Sequence, residues 1–101
     1  MYIILLRPAG NRAAAGQHLE GHKAWLERGL ADGKFVLWDS LSAGGGAVLA
    51  RGLDRAAVDQ LVAGDPFVSF GVVTPEIIEL APARTRSGLE FLLETPEASA
   101  P

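Results

Sequence analysis

The chain contains no cysteine, only one methionine and one tyrosine, and aromatic residues make up 7% of it. The absence of thiols excludes a disulfide framework, a Cys-ligated zinc or iron–sulfur centre and a thiol nucleophile. Basic residues are also scarce: nine Lys and Arg stand against twelve Asp and Glu, a net charge of −3. No nucleic-acid partner is expected, because phosphate binding needs a basic face. Nothing approaches the roughly 20 apolar residues of a membrane span, so no membrane partner is expected either. The apolar run Met1 to Leu6 has no basic flank before it and stops at Arg7. It reads as a strand and not as a signal peptide, and the expected location is cytoplasmic. The rest of the composition is that of a globular domain, with 101 residues, 49% hydrophobic and 21% charged. That length suits one domain with one core.

Glycine, proline and aspartate divide the chain. Tyr2 to Arg7 is a first strand, bounded by Pro8 and Gly10. Asn11 is a candidate cap for a helix from about Ala13 to Asp32, with Gly33 as its C′ residue. Lys34 to Trp38 is a second strand, and Ala47 to Arg51 a third after the glycine-rich loop Ser42 to Gly46. Asp54 caps a second helix that ends at Gly64, and Asp65-Pro66-Phe67 opens a short turn. Phe70 to Leu80 is a fourth strand, interrupted by Pro75. Residues 1–82 thus form one domain, and 83–101 a tail with a short helix over about 87–94. Ser87 and Glu90 have the spacing of a capping box, and Leu89, Leu92 and Leu93 give this helix an apolar stripe. Thr95 to Pro101 is expected to be disordered.

The order β-α-β-β-α-β predicts an α+β, ferredoxin-like sandwich with a four-stranded antiparallel sheet. Right-handed crossovers put both helices on one sheet face. Strands one and two are nonetheless apolar at almost every position. By alternation, Ile3, Leu5, Phe35 and Leu37 cannot share a face with Ile4, Leu6 and Val36. A sheet apolar on both faces with helices on one needs a second layer, and a two-fold partner supplies it most simply. A homodimer through the open sheet face is therefore expected.

The same topology gathers polar residues at one end of the sheet. Arg7 closes strand one there, Asp39 and Ser40 close strand two, Asp65 follows helix two, and His18 and His22 lie in the first half of helix one. Leu19, Leu26 and Leu30 mark the buried face of that helix, with His22 at its edge, about 60° from Leu19. Two roles for His22 follow. It is either a general acid or base whose tautomer a carboxylate fixes, or a structural histidine bonded to a backbone carbonyl. Asp65 likewise reads as an N-cap before Pro at N1; one carboxylate oxygen can cap while the other meets an imidazole. An approach of less than about 3.5 Å between His22 and Asp65 is expected. His18 and His22 have a spacing that can hold a metal, but no third ligand accompanies them, so no metal is assigned. Gly44-Gly45-Gly46 is a hairpin connection and lacks the Lys and Ser or Thr of a phosphate loop. Arg7 suits an anionic substrate or an acidic partner residue, and Trp25 and Trp38 suit a pocket wall or ordinary packing.

An ordered set of motifs carries a family resemblance over Tyr2 to about Pro82. It comprises Ile4-Leu5-Leu6-Arg7, His22 with Trp25-Leu26, Gly33, Phe35, Gly45-Gly46 leading into Val48-Leu49-Ala50-Arg51, Asp65-Pro66-Phe67-Val68, Gly71, Ile77-Ile78-Glu79 and Pro82. In these the chain resembles the YciI-like (YCII-related) proteins of the dimeric α/β barrel superfamily. The resemblance implies two sheets packed face to face in a dimer and a His–Asp dyad, which maps onto His22 and Asp65. It also implies acid–base chemistry on small cyclic or aromatic compounds. One branch of the family acts as a dehydrochlorinase on a chlorinated hydroxyquinol, and muconolactone isomerase is similar. Where the family often has Ser-Gly-Pro, this chain has Trp38-Asp39-Ser40, and Pro75 stands where an aromatic residue is frequent.

The expected function is that of a cofactor-independent lyase or isomerase. His22 and Asp65 are its catalytic pair, and Arg7, Trp38, Asp39 and Ser40 contact a small-molecule ligand. The alternatives are a non-catalytic dimer that binds or senses a small metabolite, and a purely structural dimer.

Overall fold

The computed structural model describes residues 1–93. Strand β1 (Tyr2–Pro8) is followed by a 3-10 turn (Arg12–Ala14), helix α1 (Ala15–Ala31), strands β2 (Phe35–Ser40) and β3 (Gly46–Ala50), helices α2 (Arg55–Ala63) and α3 (Pro66–Ser69), and strand β4 (Val73–Glu79). The sheet order is β2-β3-β1-β4, with every neighbouring pair antiparallel. This is the ferredoxin-like βαββαβ arrangement.

Local chemistry accounts for most boundaries. The Asp54 carboxylate accepts from the Ala57 N–H at 2.8 Å and caps α2. Gly33 takes the left-handed conformation (φ 73°) that turns the chain out of α1. Asn11 does not cap α1: its side-chain amide donates to the Phe70 carbonyl at 2.7 Å, and α1 starts only after the 3-10 turn. Pro75 does not interrupt β4, whose register against β1 is continuous from Val73 to Glu79. β4 is an edge strand, where a residue without an N–H is tolerated.

The core lies between the helices and one sheet face. Tyr2, Ile4 and Leu6 are buried there with Val48 and Ala50, against Trp25 and Leu26 of α1 and Val58 and Val62 of α2. The Trp25 indole N–H donates to the Leu61 carbonyl at 2.9 Å and ties the two helices together.

Two expectations are corrected here. The ladder between β2 and β3 pairs Phe35 with Ala50 but Leu37 with Leu49, a shift that marks a β-bulge at Val36. The bulge puts Phe35 on the helix face, 2% exposed, and Leu37 on the opposite face, 55% exposed. The two residues therefore do not share a face as simple alternation requires. In α1 the buried face centres on His22, Trp25 and Gly29, with Leu26 beside them, while Leu19 and Leu30 are exposed. The reason is Gly29: a Cβ there would overlap the Phe35 ring, so the bare backbone is what lets the strand pack against the helix.

The opposite sheet face carries Ile3, Leu5, Leu37, Leu49 and Ile78, and leaves Leu37 and Ile78 exposed. The helix expected over about 87–94 takes the form of a single 3-10 turn, Glu90–Leu92. No Ser87 side-chain cap forms. The Glu90 carboxylate accepts instead from the Gly88 N–H at 2.7 Å. Of the expected apolar stripe, Leu92 is buried and Leu89 exposed. Thr95 to Pro101 lies outside the described residues. No helix among the described residues is long and apolar enough to cross a membrane.

Gly29→Ala is expected to destabilise the protein by about 2 kcal/mol, the cost of overpacking a filled core. Gly16→Ala, where a Cβ meets nothing within 4 Å, should be neutral or stabilising by up to about 1 kcal/mol. Urea unfolding of the two variants checks the contrast.

Candidate active site

The site begins with a capped turn. Helix α2 ends at Gly64, and Asp65 then caps α3, with Pro66 at its first position. Asp65 Oδ1 accepts from the Phe67 N–H at 3.0 Å. Gly21 of α1 makes room for this turn, since a Cβ there would stand 3.0 Å from Pro66 Cγ. The close approach of α1 and α3 brings His22 onto the cap. His22 Nδ1–H donates to the same oxygen, Asp65 Oδ1, at 2.8 Å. The expected contact between these two side chains is formed, and Asp65 performs both of the roles considered for it, but through one oxygen and not through one oxygen each.

Three neighbours fix the imidazole. Asp65 holds its Nδ1 edge. The Phe67 ring stacks on its face at 4.1 Å and 4° between planes, and Trp25 lies 6.0 Å away at 24°. The His22 side chain is 14% exposed and that of Asp65 is 0% exposed. With Nδ1 engaged, Nε2 is the nitrogen available to a ligand. Asp65 Oδ2 is buried without a hydrogen-bond partner among the described residues. The imidazole and the Phe67 N–H thus carry the whole compensation for a buried carboxylate.

His22 lines a cavity of about 470 Å³ between α1, one end of the sheet and α3. That volume suits a small molecule. Its walls are apolar, from Leu6, Leu26, Trp38, Val48, Phe67 and Val73. Trp38 reaches the cavity because the bulge in β2 sets it on the helix face, paired with Val48. Besides His22, the ionisable and hydroxyl side chains on the wall are Lys23, Asp39 and Ser40. Asp39 Oδ1 accepts from the Ser40 N–H at 2.7 Å. Gly45 and Gly46 close one side. Gly45 has a φ of 80°, and a Cβ on it would overlap the Leu6 carbonyl oxygen.

Two residues expected in this group are not on the cavity wall. Arg7 does not line the cavity. It alternates with Leu6 onto the opposite sheet face, where its Nε donates to Glu76 Oε1 at 3.0 Å. His18 stacks on the Phe70 ring at 4.0 Å and 12°. Lys23 was not anticipated. A lysine on a helix surface reads as solvated, and only the position of the cavity beside His22 distinguishes it.

No protein-family model matches the sequence, and no curated protein matches it. Among solved structures, the chain is similar to the 5-chloro-2-hydroxyhydroquinone dehydrochlorinase TftG from Burkholderia phenoliruptrix AC1100, solved in complex with 2,5-dihydroxybenzoquinone. The TM-score is 0.65 at 17% identity, over 81% of this chain and 95% of that one. At this identity the likeness shows a shared fold. The expected α+β class with a four-stranded antiparallel sheet is thus found in both the topology and the comparison.

Removing the imidazole should cost more than neutralising the carboxylate. His22→Ala strands a buried charge and is expected to destabilise by about 2–3 kcal/mol. Asp65→Asn keeps an oxygen for the Phe67 N–H and should cost about 1 kcal/mol. Chemical denaturation of both variants at neutral pH gives the order.

Proposed function

We propose that this protein is a YciI-like enzyme that uses His22 as general base and acid, oriented by Asp65, on a small cyclic or aromatic compound. The observation that carries the reading is the 2.8 Å contact between His22 Nδ1 and a fully buried Asp65 at the wall of a mostly apolar cavity. A buried carboxylate on Nδ1 selects the tautomer whose Nε2 lone pair can take a proton, and it stabilises the imidazolium that results. Phe67 stacking limits ring rotation, so the lone pair keeps its direction during the transfer. The proton can then return to another atom of the same ligand, an isomerisation, or assist a leaving group, an elimination. The ordered motif set from Ile4 to Pro82 supports the family assignment. The fold shared with a dehydrochlorinase supports the reaction class. Trp38, Asp39 and Ser40 line the cavity as ligand contacts; Arg7, on the other face, is not assigned to it.

The homodimer belongs to the same proposal. Ile3, Leu5, Leu37, Leu49 and Ile78 form an apolar sheet face, and pairing two such faces removes it from water.

Incubating the protein with chlorinated hydroxyhydroquinones and small unsaturated lactones should give turnover, followed by chloride release and ultraviolet absorbance. His22→Asn, which keeps a donor for Asp65, should lose at least about 100-fold in kcat with ligand binding retained. Ligands that bind the wild type and are recovered intact across the panel would favour the binding or sensing module instead. Light scattering should report a dimer mass, and Leu37→Glu should shift it to monomer.

A further inference from the structure

Proton transfer to His22 leaves a negative charge on the ligand, and the cavity has to accommodate it. The acid–base reading requires an O–H or activated C–H bond of the ligand to break. The proton forms a new bond to Nε2, and the electron pair stays on the ligand as a phenolate or enolate oxygen. Asp65 compensates the imidazolium from behind and offers the oxyanion nothing. Asp39, on the β2 side of the cavity, repels it. The only basic side chain on the lining apart from His22 is Lys23, which directly follows His22 in α1. Arg7, the other cation expected to serve a ligand anion, is held by Glu76 on the far face. No described acidic side chain forms an ion pair with Lys23, so its charge is available to a ligand. The remaining wall is largely apolar, while Lys23 itself is exposed, so an ammonium–oxyanion contact there is partly screened by water.

From this placement, and resting on the role proposed for His22, we infer that Lys23 receives the ligand's oxyanion and makes the cavity selective for ring hydroxyls or enols in their ionised form. Asp39 opposes it and sets a limit on that selectivity. A ligand with one ionised oxygen near Lys23 and a hydroxyl that can donate to Asp39 satisfies both charges. A ligand with two anionic groups satisfies only one.

The probe is 4-nitrophenol, which ionises near neutral pH and changes colour as it does. Its binding is titrated by absorbance across that range, so phenol and phenolate affinities are read separately and without turnover. The wild type should prefer phenolate. Lys23→Gln should weaken phenolate binding about tenfold, with phenol affinity unchanged within about twofold, and Lys23→Arg should restore most of the loss. Asp39→Asn should strengthen phenolate binding about threefold. Repeating the Lys23→Gln comparison in a His22→Gln background keeps the imidazole out of the difference. Equal affinity for the two forms, a phenolate preference that survives Lys23→Gln, or no binding of either form at millimolar concentration would overturn the inference. The two readings fail separately. Phenolate preference without any turnover overturns the acid–base enzyme and leaves Lys23 as the anion contact. Turnover that is indifferent to Lys23 does the reverse.

Discussion

A carboxylate with no access to water is the constraint around which the rest of the molecule is arranged. Asp65 is fully buried, and one of its oxygens takes both the Phe67 N–H and the His22 imidazole. Each of those bonds needs backbone placed to within a few tenths of an ångström. Helix α3 must start at residue 66, so α2 must stop at Gly64. Helix α1 must pass close enough to α3 for His22 to reach across, which Gly21 permits opposite Pro66. The Trp25 indole bond to the Leu61 carbonyl holds α1 against α2 one turn further along. Under the proposed acid–base role, stability and reactivity share the same atoms. The geometry that compensates a buried charge is also the geometry that directs Nε2 of His22.

Much of this was legible in the residues, and for definite reasons. Aspartate before a helix and glycine after it have local effects that tertiary context seldom reverses, so Asp54, Gly64 and Asp65 mark their boundaries well. Chain order brought His22 and Asp65 to one end of the sheet, because a βαββαβ path returns the end of α2 beside the start of α1, and the family resemblance singled them out as a pair. What was hidden depends on packing. The bulge at Val36 has no local signature, yet it decides which of Phe35, Leu37 and Trp38 enter the core. The buried face of α1 departs from its leucine pattern because a glycine, and not a leucine, meets the strand. Gly29 is buried by the ring of Phe35 and not by any side chain of its own. Arg7 was a different kind of error. Its place at the end of β1 was right, but alternation with Leu6 already assigns it to the other face.

The two faces of the sheet carry separate tasks. The helix face holds the core, the capped carboxylate and the cavity. The other face holds Ile3, Leu5 and Leu49 with the exposed Leu37 and Ile78, and its charged pair Arg7 and Glu76 sits at one end. Because strand side chains alternate, neighbouring residues in β1 belong to different faces. Leu6 forms a cavity wall while Leu5 and Arg7 face away from it. A substitution in this strand therefore bears on the site or on the opposite surface, according to its parity.

Gly45 limits how such a cavity can diversify. Its left-handed backbone and its contact with the Leu6 carbonyl leave no volume for a side chain on that wall. At Gly45 the binding space is thus bounded by main chain, and no side chain there can reshape it. Change in ligand preference has to enter through the side chains around it, those at the end of β2 and along α1 among them. Those are the positions occupied by Trp38, Asp39, Ser40 and Lys23. Descendants of this chain can vary what they recognise through such side chains, while the main chain at Gly45 is inherited as fixed shape.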